Sequence, residues 1–181
     1  MWRNFIPAAA VLVLGGVLAF ALFRIGSGHL DVHEIKSPLL GKAAPSFALP
    51  SVADPTKRVE SRALAGRPYL LNVWGTWCAA CEEEHPALIS IARSAGVPLI
   101  GIDWRDNRDE AVRYLAERGN PYTEVGSDAD GRAAIEWGVY GAPETFLVAA
   151  NGRVLVKHIG PLSAEIWKEK FMPQLAAAGG G

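Results

Sequence analysis

The chain has 181 residues, half of them hydrophobic, and its 18 Lys and Arg residues are balanced by 19 Asp and Glu residues for a net charge of −1. This length suits one globular domain with an additional segment, and the hydrophobic fraction is ample for a core. The balanced charge leaves no basic footprint for nucleic acid, and no internal repeat indicates a solenoid.

The first element is an apolar segment near the N-terminus. From Phe5 to Phe23 the chain carries no charge, and Arg3 and Arg24 flank this stretch. As a helix it would be roughly 28 Å long, close to the hydrocarbon thickness of a bilayer. We therefore predict an uncleaved membrane anchor over residues 1–25, with the rest of the chain exported. A signal peptide cleaved near Ala19-Phe20-Ala21 is the alternative.

A polar segment that contains Gly and Ser follows, and we interpret residues 26–37 as a linker. His29 and His33 would share a helix face and bind a metal only if this stretch were helical, so we favour a solvated linker. The globular domain is expected over residues 38–176, and residues 177–181 form a flexible tail.

Within the domain, the apolar run Tyr69 to Trp74 is rich in strand-forming residues. A helix is predicted from about Ala79 to Ala92, with a kink or break at Pro86 because proline lacks the backbone N–H. A second buried strand is predicted at Val97 to Ile102. The order strand, turn, helix, strand follows.

The C-terminal half continues this pattern. Asn107 is placed to cap a helix that ends near Glu117. Asn151-Gly152 is a strong turn signal and predicts a hairpin between two apolar runs. A mixed sheet with helices on both faces follows from this order of elements. The hairpin strands are Thr145 to Val148 and Arg153 to Val156, and Ser163 caps a last helix from Ala164 to about Leu175.

The two cysteines of the chain, Cys78 and Cys81, form a Cys-x-x-Cys motif between the first strand and its helix. At a first helical turn the two sulfurs lie on one face, near enough to form a disulfide. The helix N-terminus stabilises a thiolate at Cys78, which is the expected nucleophile, and Cys81 is placed to resolve a mixed disulfide. This arrangement indicates redox chemistry.

Three other interpretations apply to the same pair. A purely structural disulfide would close a very short loop and restrict the unfolded chain little. A zinc site would need four Cys or His ligands, and the four His form no second knuckle with the cysteines, so no metal is expected. A two-thiolate Cu(I) site remains open, because soft thiolates select that ion.

The cysteine motif and a later segment of the chain resemble known protein families. Residues 74–81, Trp-Gly-Thr-Trp-Cys-Ala-Ala-Cys, resemble the thioredoxin superfamily. Residues 77–86 together with Gly-Val-Tyr-Gly-Ala-Pro-Glu-Thr-Phe-Leu-Val at 138–148 resemble the membrane-anchored thiol:disulfide interchange proteins of cytochrome c biogenesis, the DsbE or CcmG family. The resemblance covers roughly Ser37 to Leu175.

The resemblance implies an α/β thioredoxin-like fold, a mixed central sheet flanked by helices, behind an N-terminal transmembrane helix. It implies that Pro143 is a cis-proline facing the cysteines, and that Ala142 offers its backbone to a substrate strand beside Trp77. The implied protein needs no cofactor. It would sit in the inner membrane with its domain in the periplasm, reduce apocytochrome c or a maturation thioreductase, and receive electrons from a membrane thiol-disulfide transporter.

One departure concerns a buried acid. Thioredoxin carries Asp six residues before the nucleophile, and this chain has Asn72, which cannot accept a proton from Cys81. Glu84 and Glu144 are the candidate replacements. Acidic surroundings raise the pKa of the thiolate, which favours the disulfide form and makes the dithiol a reductant.

Three other functions remain open at this stage. A general exported disulfide reductase would share the cysteine pair but serve another envelope pathway. A non-catalytic module would hold apocytochrome by strand addition, and a copper chaperone would use the two thiolates.

Overall fold

The computed structural model describes residues 13–20 and 37–178. Residues 13–20 are helical, and residues 37–178 belong to a separate compact unit. Within these ranges no helix is both long and apolar enough to cross a membrane. Most of the predicted anchor and linker, with His29 and His33, lies outside the described residues. The anchor and the domain limits therefore stay predictions.

The compact unit is built from strands and helices that alternate along much of the chain. The strands are β1 (Ala48–Pro50), β2 (Arg58–Glu60), β3 (Tyr69–Trp74), β4 (Leu99–Trp104), β5 (Glu124–Asp128), β6 (Glu144–Val148) and β7 (Val154–Ile159). The helices are α1 (Ala79–Ser94), α2 (Arg108–Arg118), α3 (Arg132–Glu136), α4 (Ala164–Ile166) and α5 (Met172–Ala178), with a 3-10 helix at Ser61–Leu64 and π-helical Trp167–Phe171 between α4 and α5.

Five strands form the central sheet in the order β5-β4-β3-β6-β7, and β1 pairs with β2 in a separate hairpin. β3, β4 and β5 are parallel, whereas β6 and β7 are antiparallel to their neighbours. The predicted mixed sheet is thereby confirmed. β3 lies at its centre, so the chain leaves the middle of the sheet directly into the cysteine motif.

The two faces of the sheet carry separate cores, because side chains alternate along each strand. Leu70 and Trp74 of β3 face a core that includes Leu88 of α1 and both cysteines. Leu71 and Val73 face the opposite core, which includes Ala134 of α3. Helices therefore cover both faces, as predicted, and the cysteines belong to one face only.

The predicted caps and turn are confirmed. The Asn107 side-chain oxygen accepts from the backbone N–H groups of Asp109 (2.9 Å) and Glu110 (3.3 Å) at the start of α2. The Ser163 hydroxyl accepts from Ile166 N at the start of α4. Gly152 has φ of 77°, a left-handed conformation that glycine adopts without strain in the turn between β6 and β7.

The break predicted as one possibility at Pro86 is absent, and the alternative of a kink there stays a prediction. α1 runs through Pro86 to Ser94 without interruption. An interior proline costs about 3 kcal/mol. Leu88 and Ile91, in the next turns, are almost fully buried. Their burial offsets that cost, at about 1.5–3 kcal/mol for each large apolar side chain.

Two other predicted elements differ in detail. The second strand begins at Leu99 rather than Val97, because the ladder starts where Leu70 pairs with Leu99, and it continues to Trp104 between two parallel neighbours. The last helix is present, but Trp167–Phe171 is π-helical. Trp167 and Phe171 stack at 5.7 Å within the core, a packing choice that helical periodicity did not indicate.

Each edge of the central sheet is paired in part by the chain's own backbone. Ser51 bridges Gly126 on β5, and Val52 N donates to Val125 O at 2.9 Å. At the other edge Ala43 bridges Arg153 and Leu40 bridges Val154, at the start of β7. The paired positions cannot template pairing with another chain.

Gly101 in β4 offers a stability test. A Cβ at this position would lie 2.9 Å from Trp74 Nε1 and 3.1 Å from two ring atoms of Tyr122. We expect Gly101→Ala to lower the free energy of unfolding by about 1–3 kcal/mol through overpacking. Urea unfolding of the variant and the wild type measures this difference in free energy. Gly141→Ala, where nothing lies within 4 Å of the added Cβ, is the matched control and should change stability much less.

Candidate active site

Cys78 and Cys81 are joined in a disulfide at the start of α1, with their Cα atoms 5.2 Å apart. This separation is the one expected for a bridge across a first helical turn. Cys78 is the N-cap residue, and Cys81 N donates to its sulfur at 3.1 Å. The same N–H and the helix dipole would stabilise a thiolate at Cys78 when the bridge is open.

The turn that precedes the disulfide is held from the end of β4. The Asp106 carboxylate accepts from both the backbone N–H and the hydroxyl of Thr76, the latter at 2.9 Å. Gly75 leaves room for Trp77 here, because a Cβ at this position would lie 2.5 Å from Trp77 Nε1 and the indole would have to shift. These contacts fix the path of the chain into Cys78.

Trp77 is an exposed aromatic side chain next to the disulfide. It is 54% exposed, and its indole N–H donates to Trp104 O at 3.1 Å. The two indole rings are tilted at a centroid distance of 5.7 Å. A held but exposed aromatic surface suits contact with a polypeptide, so the predicted substrate-binding role of Trp77 stays a prediction with a favourable geometry.

Pro143 follows a cis peptide bond with Ala142, the state that the resemblance implies. Glu144 pairs with Val73 in the antiparallel ladder, so Pro143 lies beside the carboxyl end of β3, where the cysteine motif begins. Ala142 packs against the core that contains both cysteines. The structure therefore brings Ala142 and Pro143 to the same end of the sheet as the disulfide.

Asn72 and Glu84 form a buried polar network beneath the disulfide. Asn72 Nδ2 donates to Glu84 Oε1 at 2.9 Å and to the Thr145 hydroxyl at 3.0 Å. The Tyr122 hydroxyl donates to Asn72 Oδ1 at 2.7 Å, and Leu162 N donates to Glu84 Oε2 at 2.7 Å. Asn72 thus does not supply a carboxyl group itself. It orients the carboxyl group of Glu84, which lies on α1.

Glu84 is 2% exposed, and burial raises its pKa to about 7, although hydrogen bonds from Leu162 and Asn72 oppose the rise. It lies three residues after Cys81 on one helix, a spacing that places the two side chains on the same face. A carboxyl that titrates near neutrality is suited to accept a proton from Cys81. Glu84 therefore fits the role predicted for the missing aspartate.

Glu144 is placed differently. Its Oε2 lies 2.9 Å from Lys157 Nζ, and both side chains are essentially fully buried. It shares a sheet face with Phe146, opposite the face that contains the cysteines. Its predicted influence on the cysteine pair stays a prediction, and the adjacent ammonium reduces the field that its charge can exert.

Asp103 is a buried carboxyl that the sequence analysis missed. It pairs in the ladder with Trp74, the last residue before the active-site turn, and neither of its oxygens has a hydrogen-bond partner in the described part of the chain. Burial first, and then the charge of Asp106, raise the pKa of Asp103 to about 8. The protonated form of Asp103 is therefore favoured at neutral pH.

Among residues 13–20 and 37–178, no group of three or more His, Cys, Asp or Glu side chains could hold a metal ion. This result does not concern a site of two thiolates.

Tyr122, Lys157 and Asp103 are site residues that the sequence analysis did not single out. The one available signal was a charged residue, Lys157, inside the apolar strand run that follows the hairpin turn.

Comparison with known proteins agrees with this geometry. Residues 39–172 match the Redoxin family model. The chain is 43% identical over 179 residues to the thiol:disulfide interchange protein DsbE of Allochromatium vinosum, covering 99% of this chain and 96% of that one. It is 38% identical to DsbE of Escherichia coli K12, covering 93% and 90% respectively.

Solved structures give the same result for the fold. A thiol:disulfide interchange protein of the thioredoxin family from Chlorobium tepidum superposes with a TM-score of 0.62 at 28% identity, covering 80% of this chain and all of that one. The predicted thioredoxin-like α/β fold is thereby confirmed.

Proposed function

This chain belongs to the redoxins and, among them, to the DsbE thiol:disulfide interchange proteins, and from that premise we propose that it reduces disulfides during cytochrome c maturation. It is a thiol-disulfide oxidoreductase. The observation that carries the finer proposal is the pair of segments at 77–86 and 138–148, which resemble the cytochrome c biogenesis members of the family and meet at one end of the sheet.

The proposed reaction needs only the two cysteines and a proton acceptor. The Cys78 thiolate attacks one sulfur of the substrate disulfide, forms a mixed disulfide and displaces the other sulfur as a thiolate. The Cys81 thiolate then attacks the Cys78 sulfur, closes the Cys78–Cys81 bond and releases the substrate as a dithiol. Two electrons pass to the substrate, and Glu84 takes the proton of Cys81.

The reducing direction follows from charge. Between the cysteines stand Ala79 and Ala80, which donate no side-chain hydrogen bond to a thiolate. Glu84, when ionised, opposes a thiolate on the same helix face. Destabilising the dithiolate favours the disulfide form, so the reduced protein gives up its electrons readily.

We further propose that residues 1–25 anchor the protein in the inner membrane, with the domain in the periplasm. The uncharged run from Phe5 to Phe23 supports this. In the described helical stretch the side chains of Val13, Leu14, Val17 and Leu18 are largely exposed. The proposed partners are apocytochrome c or a maturation thioreductase, and a membrane thiol-disulfide transporter that re-reduces Cys78 and Cys81.

The test of the cytochrome role uses cells that lack their own DsbE. Expression of this chain should restore covalent haem attachment to c-type cytochromes, measured by haem staining of denatured gels. A Cys78→Ser/Cys81→Ser variant should not restore it, and added dithiothreitol should bypass the defect. Restoration by the double-serine variant would instead support a non-catalytic binding module. If the wild-type chain is expressed and redox-active but does not restore haem attachment, the protein serves another envelope pathway.

The anchor has its own expected result. The full chain should remain in the membrane fraction after carbonate washing, and intact-mass analysis should show a protein that keeps residues 1–25. A mature protein that begins near Leu22 would show that the segment is a cleaved signal peptide.

A further inference from the structure

Lys157 is a buried cation in β7. Its side chain is 2% exposed, and its Nζ lies 2.9 Å from Glu144 Oε2. The same ammonium donates to the backbone oxygen of Gly138 at 2.6 Å and lies 4.6 Å from the centroid of the Tyr140 ring. The contacts to Gly138 and Tyr140 reach the segment that leads into β6, and the contact to Glu144 reaches the first residue of β6.

That segment, residues 138–143, contains the cis peptide bond and is here called the cis-proline segment. Lys157 holds its first residue through Gly138 O and its middle through the Tyr140 ring. Glu144, directly after it, accepts from Tyr140 N at 2.7 Å through its second carboxylate oxygen. Lys157 and Glu144 together therefore fix the segment at its start, middle and end.

Stability alone does not account for this pair. Burying an ion pair costs desolvation, and apolar side chains of similar volume are often at least as stabilising. Phe146, the cross-strand neighbour of Lys157, is an apolar residue against which such a side chain would pack. The charges supply something that an apolar pair cannot, namely directed hydrogen bonds to the backbone of the cis-proline segment.

We propose that Lys157 is a positioning residue for polypeptide disulfides: through Gly138, Tyr140 and Glu144 it holds the backbone at Ala142 in the shape that an extended substrate pairs with while Cys78 attacks. This inference rests on the proposed function in one respect, that the cis-proline segment contacts the substrate. A disulfide without peptide groups, such as 2-hydroxyethyl disulfide, cannot make this backbone pairing and should not need Lys157.

The experiment compares the rates at which two oxidised probes react with the reduced full-length chain in detergent. One probe is a synthetic peptide closed by an intramolecular Cys-x-x-Cys disulfide, and the other is 2-hydroxyethyl disulfide, which has no peptide groups. Acid quenching, thiol alkylation and mass analysis give the second-order rate constants. For Lys157→Met we expect the peptide reaction to slow at least about tenfold and the reaction with hydroxyethyl disulfide to change less than about twofold, since small misplacements at a reacting site have effects of this size.

Three variants make the result specific. Lys157→Arg keeps the charge and should recover most of the peptide rate. Glu144→Gln/Lys157→Met leaves no orphan charge, so it should fold even if Lys157→Met does not, and it should remain slow with the peptide. Lys168→Met, at an exposed lysine, should leave both rates unchanged.

Either of two results overturns the proposal: equal slowing with both probes in the folded double variant, or an unchanged peptide rate there. A wild-type chain that reacts no faster with the peptide than with hydroxyethyl disulfide also overturns it, since there is then no peptide recognition to support. The peptide probe carries no cytochrome sequence, so the cytochrome role stands or falls separately on haem attachment in cells.

Discussion

Cys81→Ala is expected to turn the protein into a trap for its redox partners. The variant keeps Cys78 at the helix N-terminus, where the dipole and the N–H of residue 81 stabilise its thiolate. It can form a mixed disulfide but cannot resolve it. Turnover should be abolished, and adducts that dithiothreitol releases should accumulate on non-reducing gels at least about tenfold above the wild-type level.

Cys78→Ala is the matched comparison for that experiment. It keeps Cys81, which is 4% exposed in the oxidised protein, one turn into α1 and away from the dipole end. We expect few adducts from it. Equal trapping by the two single variants would show that the assignment of nucleophile and resolving cysteine is wrong. The proteins trapped by Cys81→Ala also identify the physiological partners.

Glu84→Gln should flatten the dependence of stability on pH. Burial raises the folded-state pKa of Glu84 from 4.5 to about 7. Between these values the folded state keeps a proton that the unfolded state has lost, so the free energy of unfolding falls as the pH rises. At about 1.36 kcal/mol per pKa unit, the fall due to Glu84 is on the order of 3 kcal/mol, and the Gln variant should lack it.

Urea unfolding of the oxidised protein at several pH values measures this effect without titration of the cysteines. Asp103, whose pKa is raised from 3.8 to about 8, should produce a similar fall that continues to a higher pH and disappears in Asp103→Asn. Glu83→Gln, at an exposed neighbour on α1, is the control. Identical pH profiles for Glu84→Gln and wild type would remove Glu84 as a buried titrating group.

Glu84→Gln also tests the redox role of Glu84. Removing a carboxylate near the pair should stabilise the reduced form and make the disulfide more oxidising, by about 30 mV for each 1.4 kcal/mol. Equilibration with glutathione measures the shift. Glu144→Gln should shift the potential less, because Lys157 already neutralises that carboxylate on the opposite sheet face. Equal shifts in the two variants would favour a tuning role for both carboxylates.

The local signals of the sequence predicted most of the fold. Asn107, Ser163 and Asn151-Gly152 each act through a side chain or turn conformation that is complete within a few residues, and each prediction is confirmed. The break predicted at Pro86 is absent, because the cost of that proline is offset by burial of Leu88 and Ile91 against strands distant in sequence. Local propensity carries no information about that burial.

The residues of the site also fall into those that local sequence predicts and those that only the tertiary structure brings together. The cysteine pair is a local motif, and its geometry follows from the helix that begins there. Glu84 and Glu144 were equivalent in sequence, since both are acidic and close to a motif residue. Side chains alternate along β6, so Thr145 and Glu144 point to opposite faces of the sheet. Thr145 lies on the face with Asn72 and Glu84, whereas Glu144 lies on the other face with Lys157. Asp103 joins the site through strand pairing, and Tyr122 joins it through the hydrogen bond from its hydroxyl to Asn72.

The partly paired sheet edges also constrain the order of folding. The Arg153 side chain donates to Gly41 O across 112 positions of the chain, beside the bridge from Ala43 that covers the start of β7. During synthesis the residues around Gly41 emerge long before their partners exist, so the edge beside β7 closes only after the β6–β7 hairpin is available. Such long-range closure is slow. Until it occurs, the start of β7 is unpaired on its outer side, and the nascent domain is exposed to wrong pairing there.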